Sequence, residues 1–79
     1  MKIYDFNGSK NICGANVKEA RKKLKLSQEN LAAILQVEGV NIERDSVSRI
    51  EIGTRFVADY ELCTLWKTLN VTPEYLLEL

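Results

Sequence analysis

The sequence predicts an all-α fold: a compact domain of five helices joined by short connections and preceded by an N-terminal arm. Three observations carry this expectation. Apolar residues recur at helical spacing in successive segments. No segment sustains the period-two alternation of a half-buried strand. Helix-starting and helix-stopping residues stand where each apolar stripe begins and ends.

The elements follow in order. Residues 1–14 hold no helical period, and Asn7-Gly8-Ser9 with Gly14 are turn formers, so this stretch is expected to be an arm with Ile3, Tyr4 and Phe6 to bury. From Ala15 the pattern becomes helical, with Val17, Ala20 and Leu24 on one stripe before Ser27. Ser27 is suited to cap the second helix and Glu29 to sit near its positive end, while Leu31, Ile34 and Leu35 form the buried stripe and Gly39 the stop. A short third helix carries Val47 and Ile50 inward and ends at Gly53. In the fourth, Leu62, Leu65, Trp66 and Leu69 give the clearest amphipathic stripe of the chain, closed by Asn70. Thr72-Pro73 opens a final helix, on which Val71 can pack against Leu76.

Composition excludes several functions. With 79 residues the chain forms one domain with a small core. Without histidine it has no Ser-His-Asp or Cys-His pair and no imidazole metal ligand, and two cysteines cannot complete a thiolate zinc site. No enzyme activity, cofactor or metal is therefore expected. The longest run free of polar residues is Leu31 to Leu35, and the N-terminus lacks a secretory apolar region, so a cytoplasmic protein without a membrane partner is expected, with Cys13 and Cys63 reduced. The formal net charge is zero, but it is unevenly spread. Residues 1–56 hold ten basic and seven acidic groups, residues 57–79 one basic and four acidic.

Two charges fall on buried stripes. Arg21 occupies the i+4 position after Val17 on helix one, and Glu51 the i+4 position after Val47 on helix three. A buried charge is costly unless paired and hydrogen-bonded, so the two are expected to pair with each other. The alternative from spacing alone is that both lie at stripe edges and reach water along their own stems.

Arg21, then Ser27-Gln28-Glu29-Asn30-Leu31-Ala32, then Ser48-Arg49-Ile50-Glu51 with Gly53, then Glu61-Leu62 through Leu69 and Val71 to Tyr75-Leu76-Leu77, resembles the Cro/CI phage-repressor (XRE-type) helix-turn-helix family. The resemblance spans residues 15–79, with the motif at about 27–53. It implies a five-helix, lambda-repressor-like DNA-binding domain, acting as a homodimer on double-stranded DNA. The Arg21 to Glu51 pairing is also a feature of that family. The interval from Leu31 to Ser48 is five residues longer than the usual pattern, and the resemblance is to a firmicute-like variant with a lengthened helix 2 to helix 3 region. Ala58 stands where related sequences place a threonine cap, a loss of about 1 kcal/mol.

The resemblance assigns roles by position. Helix three would enter the major groove, with Arg44, Asp45, Ser46 and Arg49 as base readers, since arginine forks to guanine and aspartate accepts from cytosine. Gln28, Ser48, Thr54, Arg55, Lys23 and Lys25 are the candidates for phosphate contacts. Tyr75, Leu76, Leu77 and Leu79 have little chain left to cover them and are candidates for a dimer patch. With no ligand-binding domain in view, no small-molecule ligand is expected. The function implied is a sequence-specific transcriptional regulator, a repressor in the first instance. The alternative is an antitoxin-like or other protein-interaction module on the same fold.

Overall fold

The computed structural model describes residues 6–79, so Ile3 and Tyr4 of the arm lie outside the described residues. Five helices follow in order: α1 (Gly14–Lys23), α2 (Gln28–Val37), α3 (Arg44–Ile52), α4 (Asp59–Thr68) and α5 (Pro73–Leu77). The described residues hold no strand beyond an isolated bridge between Phe6 and Ser9. The all-α class and the five helices agree with the sequence prediction. No helix among the described residues is long and apolar enough to cross a membrane.

Helix α3 is packed from both sides, by α1 and by α2; α4 lies against α2, and α5 closes the bundle against α1 and α4. The shared core takes Val17 and Ala20 from α1, Leu31, Ala32 and Leu35 from α2, Val47 and Ile50 from α3, Leu65 and Leu69 from the fourth segment and Leu76 from α5. Trp66, Leu62 and Val71 are half-buried and pack against it.

Three of the helix starts have a local cause. Ser27 Oγ accepts from the Asn30 amide at 2.9 Å, and Asn30 Oδ1 accepts in return from the Ser27 amide at 3.2 Å, a reciprocal capping box. Thr72 Oγ1 accepts from the Tyr75 amide at 3.0 Å, and Pro73 stands at the first position, where its missing N–H costs nothing. Ala58 offers no cap of its own. Half of the box survives, because Glu61 Oε1 accepts from the Ala58 amide at 3.0 Å. Gly53 and Asn70 end their helices at positive φ, 85° and 58°.

Three expected buried positions are corrected. Phe6 is 62% exposed, because it stands at the start of the tight turn before α1 and not against the core. Leu24 is 44% exposed, because α1 ends at Lys23 and Leu24 leaves the stripe as the cap residue. On α2, Ile34 is 37% exposed while Ala32 is buried, because α2 faces both α3 and α4 and its buried side is rotated toward Ala32.

Candidate functional site

The sequence of α3, RDSVSRIEI, puts Val47, Ile50 and Glu51 on one side, and all three are buried. Glu51 is met there by Arg21 from α1. Arg21 Nε donates to Glu51 Oε2 at 2.6 Å and Nη2 to Oε1 at 3.0 Å, a two-pronged pair with the glutamate side chain 1% exposed. Two further bonds complete the cluster. Arg21 Nη1 donates to the Leu26 carbonyl at 2.8 Å, and Gln28 Nε2 donates to Glu51 Oε1 at 3.0 Å. One carboxylate thus joins the end of α1, the start of α2 and the inner face of α3. A charge at this depth is tolerable because its oxygens are filled by donors.

The opposite side of α3 is exposed. Arg44, Asp45 and Arg49 face solvent, and none makes a side-chain hydrogen bond or ion pair with a described residue; Ser46 and Ser48 are half-buried between them. Arg44 also borders a shallow depression with Ser27, Gln28 and Glu29 at the start of α2. The exposed groups of α3 and the N-terminus of α2 therefore share one surface.

The remaining candidates are distributed unevenly. Gln28 sits at the rim of that depression, but its amide nitrogen is engaged with Glu51. Arg55 is engaged as well: its guanidinium forks onto Glu61, Nη1 to Oε1 at 3.0 Å and Nη2 to Oε2 at 3.2 Å, and Nη1 also donates to the Phe56 carbonyl at 2.9 Å. Burial alone would raise the Glu61 pKa. The hydrogen bonds from Arg55 and the Ala58 amide, with the nearby guanidinium charge, outweigh it and hold the carboxyl below the usual glutamate range. The hydrogen bond to Glu61 in turn raises Arg55. Thr54 is exposed and its hydroxyl donates to the Arg49 carbonyl at 3.4 Å. Lys23 pairs with Glu19 at 3.4 Å along α1 and lies over the Tyr75 ring at 5.9 Å, while Lys25 is exposed in the turn to α2.

At the other end of the molecule, Leu76 is fully buried and leaves the apolar patch, because it is the inward residue of a one-turn helix. Leu79 is 87% exposed, and Tyr75 and Leu77 are half-buried. Cys13 is buried and Cys63 half-buried, and neither is bridged. Burial pushes the Cys13 thiol up, against a smaller downward pull from a backbone hydrogen bond, which leaves it a core residue rather than a nucleophile.

Sequence reasoning missed the segment before α1. Phe6 and Ser9 exchange backbone bonds at 2.6 and 3.0 Å around Asn7 and Gly8, both at positive φ, so the Asn-Gly pair makes a tight turn. Asn11 then spans three elements. Its Oδ1 accepts from the Gly14 amide at 2.8 Å, capping α1, and its Nδ2 donates to the carbonyls of Ile50 at 3.0 Å and Arg55 at 2.8 Å. The Asn-Gly signal was visible as a turn. Nothing in the spacing said that the turn would fold onto the end of α3.

Family profiles and curated proteins give no match to the sequence. Among solved structures, the crystal structure of the restriction-modification controller protein C.AhdI from Aeromonas hydrophila is similar, with a TM-score of 0.68 and 30% sequence identity over 80% of this chain and 84% of that one. Likeness of that extent in both sequence and fold, joined to a five-helix bundle whose third helix turns an exposed polar face outward, places the chain in the Cro/CI-type (XRE) helix-turn-helix family of DNA-binding transcriptional regulators.

Proposed function

We propose that the protein is a sequence-specific repressor that binds duplex DNA as a homodimer, with α3 in the major groove. The observation that carries this reading is the contrast between the two sides of α3. Its inner side is locked by the Arg21–Glu51 cluster, while Arg44, Asp45 and Arg49 stand exposed without a protein partner among the described residues. Arg44 and Arg49 are the guanine readers and Asp45 a cytosine acceptor, with Ser46 beside them. Ser48, Thr54 and Lys25 are the phosphate contacts whose side chains remain most available. Gln28 would reach a phosphate from the rim of the shared depression only by giving up its bond to Glu51, and Arg55 only by leaving Glu61. Lys23 lies toward α5, and its contact would be to a phosphate flanking the site.

Homodimerisation rests on the exposed Leu79 with the edges of Leu77 and Tyr75, a small apolar surface at the end of the chain. The reading includes a cytoplasmic location, no catalytic activity and no small-molecule effector. The role of the similar protein as a restriction-modification controller makes the promoter of such a gene system a sensible first operator to try.

Selection of duplexes from a random oligonucleotide pool, followed by anisotropy titration, tests the proposal. A two-fold consensus with half-sites about one helical turn apart is expected. Arg44→Ala and Arg49→Ala should each weaken the selected duplex by about 1–3 kcal/mol and relax one base position. No enrichment at low salt, or unchanged affinity in both variants, would turn the reading toward a protein-interaction module.

A further inference from the structure

We propose that Asn11, in the segment before α1, is a positioning residue for DNA recognition: its carboxamide fixes the C-terminal end of α3 and thereby the pose of Arg49. The inference rests on the DNA-binding reading above. It concerns a group that touches no DNA itself.

A helix ends with carbonyls that lack intrahelical partners. At the end of α3 the arm supplies one such donor to the helix and two more to Gly53, the residue that caps it. Asn11 Nδ2 reaches the Ile50 carbonyl at 3.0 Å, the Lys10 amide reaches the Gly53 carbonyl at 2.8 Å, and Ser9 Oγ donates to the same oxygen at 3.2 Å. Asn11 also donates to the Arg55 carbonyl at 2.8 Å, so the helix end and the loop leaving it are held by one side chain. The backbones approach closely here. A β-carbon on Gly14 would run into the Ile50 carbonyl oxygen, and one on Gly53 into Ser9 Oγ.

The chemistry of Asn11 says how it acts. A carboxamide has two N–H donors, and both are used on carbonyls; its oxygen accepts from the Gly14 amide. The side chain is half-buried and retains little capacity for a phosphate or a base. Its influence on DNA must pass through the backbone at Ile50, the residue after Arg49. A forked arginine contact tolerates little displacement, so a loosened helix end should degrade discrimination between bases more than general affinity.

Asn11→Asp separates these roles. The carboxylate still accepts from Gly14 and keeps the α1 cap, but it removes both donors and faces two carbonyl oxygens. The readings are affinity for a duplex recovered from a random pool, affinity for a scrambled duplex of equal length, the salt dependence of both, and amide exchange at Gly53 and Thr54. We expect the selected-to-scrambled ratio to fall about tenfold, the size expected for one or two lost hydrogen bonds, with the salt slope as in the wild type and faster exchange at both amides. An unchanged ratio overturns the proposal, whether or not exchange is faster. A salt slope reduced by about one also overturns it, because that marks a lost phosphate contact. Ser9→Ala, which removes the hydroxyl's bonds to the Gly53 carbonyl and to the Asn11 backbone and so loosens the seat of Asn11 on the helix end, is read in the same way, with a loss of a fewfold expected, and decides the matter if Asn11→Asp does not fold. If the wild-type protein itself prefers no duplex, the DNA-binding reading fails first; if it discriminates and both variants match it, only the positioning role fails.

Discussion

Removing one side of the Arg21–Glu51 pair strands the other in the core. Glu51 is 1% exposed at its side chain and Arg21 9%, so either one left without its partner is a largely buried, unpaired charge. Arg21→Ala and Glu51→Ala are each expected to lower the unfolding free energy by about 3–5 kcal/mol, measured by urea denaturation. A loss below about 1 kcal/mol in both would show a pair behaving like one on the surface. The Arg55–Glu61 pair reports through pH instead. Because the folded protein holds the Glu61 carboxyl below its usual range, ionised Glu61 stabilises the fold at neutral pH, and that contribution disappears as pH falls through the folded pKa. Glu61→Gln should melt below the wild type near neutral pH. The two melting temperatures should converge in acid, where the wild-type carboxyl is protonated; a constant gap across the titration would show that Glu61 acts by packing alone.

At the scale of the helices, the turn between α1 and α2 carries a residue that its geometry does not favour. Lys25 adopts a φ of 59° just after the α1 cap, a position that suits glycine. Lys25→Gly is expected to raise stability by about 1 kcal/mol in thermal unfolding, since the left-handed conformation is strained for a residue with a β-carbon. Most element starts and stops were legible in the sequence because they are local. Ser27, Thr72-Pro73, Gly53 and Asn70 act on their own helix ends, within reach of a few neighbours along the chain. The family resemblance pointed to the partner surface in the same local way, through runs such as Ser48-Arg49-Ile50-Glu51. What stayed hidden depends on contacts distant in sequence. Asn11 bonds to residues 39 and 44 positions away, and no periodicity reports such a bond. Val40 and Ile42 are buried although they lie in a connection, where the helical stripe used to find core residues no longer applies. Arg55 and Gln28 looked free because each is polar and near a helix end; their partners, Glu61 and Glu51, are placed only by the folded chain.

Over the whole molecule, the zero net charge averages two unlike parts. Of the ten basic groups of residues 1–56, Arg21, Arg55 and Lys23 each have an acidic partner, so fewer cations are free for phosphate than the count implies. Binding to a scrambled duplex should therefore be weak, with log affinity falling against log salt no more steeply than about −4 per protomer, where each phosphate contact contributes about −0.9. Anisotropy titrations over a range of salt would measure this. A steeper slope would mean that paired basic groups exchange their carboxylates for phosphates on binding.

The connection from α2 to α3 has its own consequence for how this sequence can change. Val40 and Ile42 point into the core with exposed Asn41 between them, and Gln36 Nε2 holds the Ile42 carbonyl at 2.9 Å. Deleting one residue between these two would break the in-out-in order and turn an apolar side chain toward water. The longer interval therefore cannot be shortened one residue at a time without passing through a poorly packed form. Its length is expected to change only as a block, and substitutions at exposed Asn41, Glu38 and Glu43 should cost little beside those at the two buried anchors.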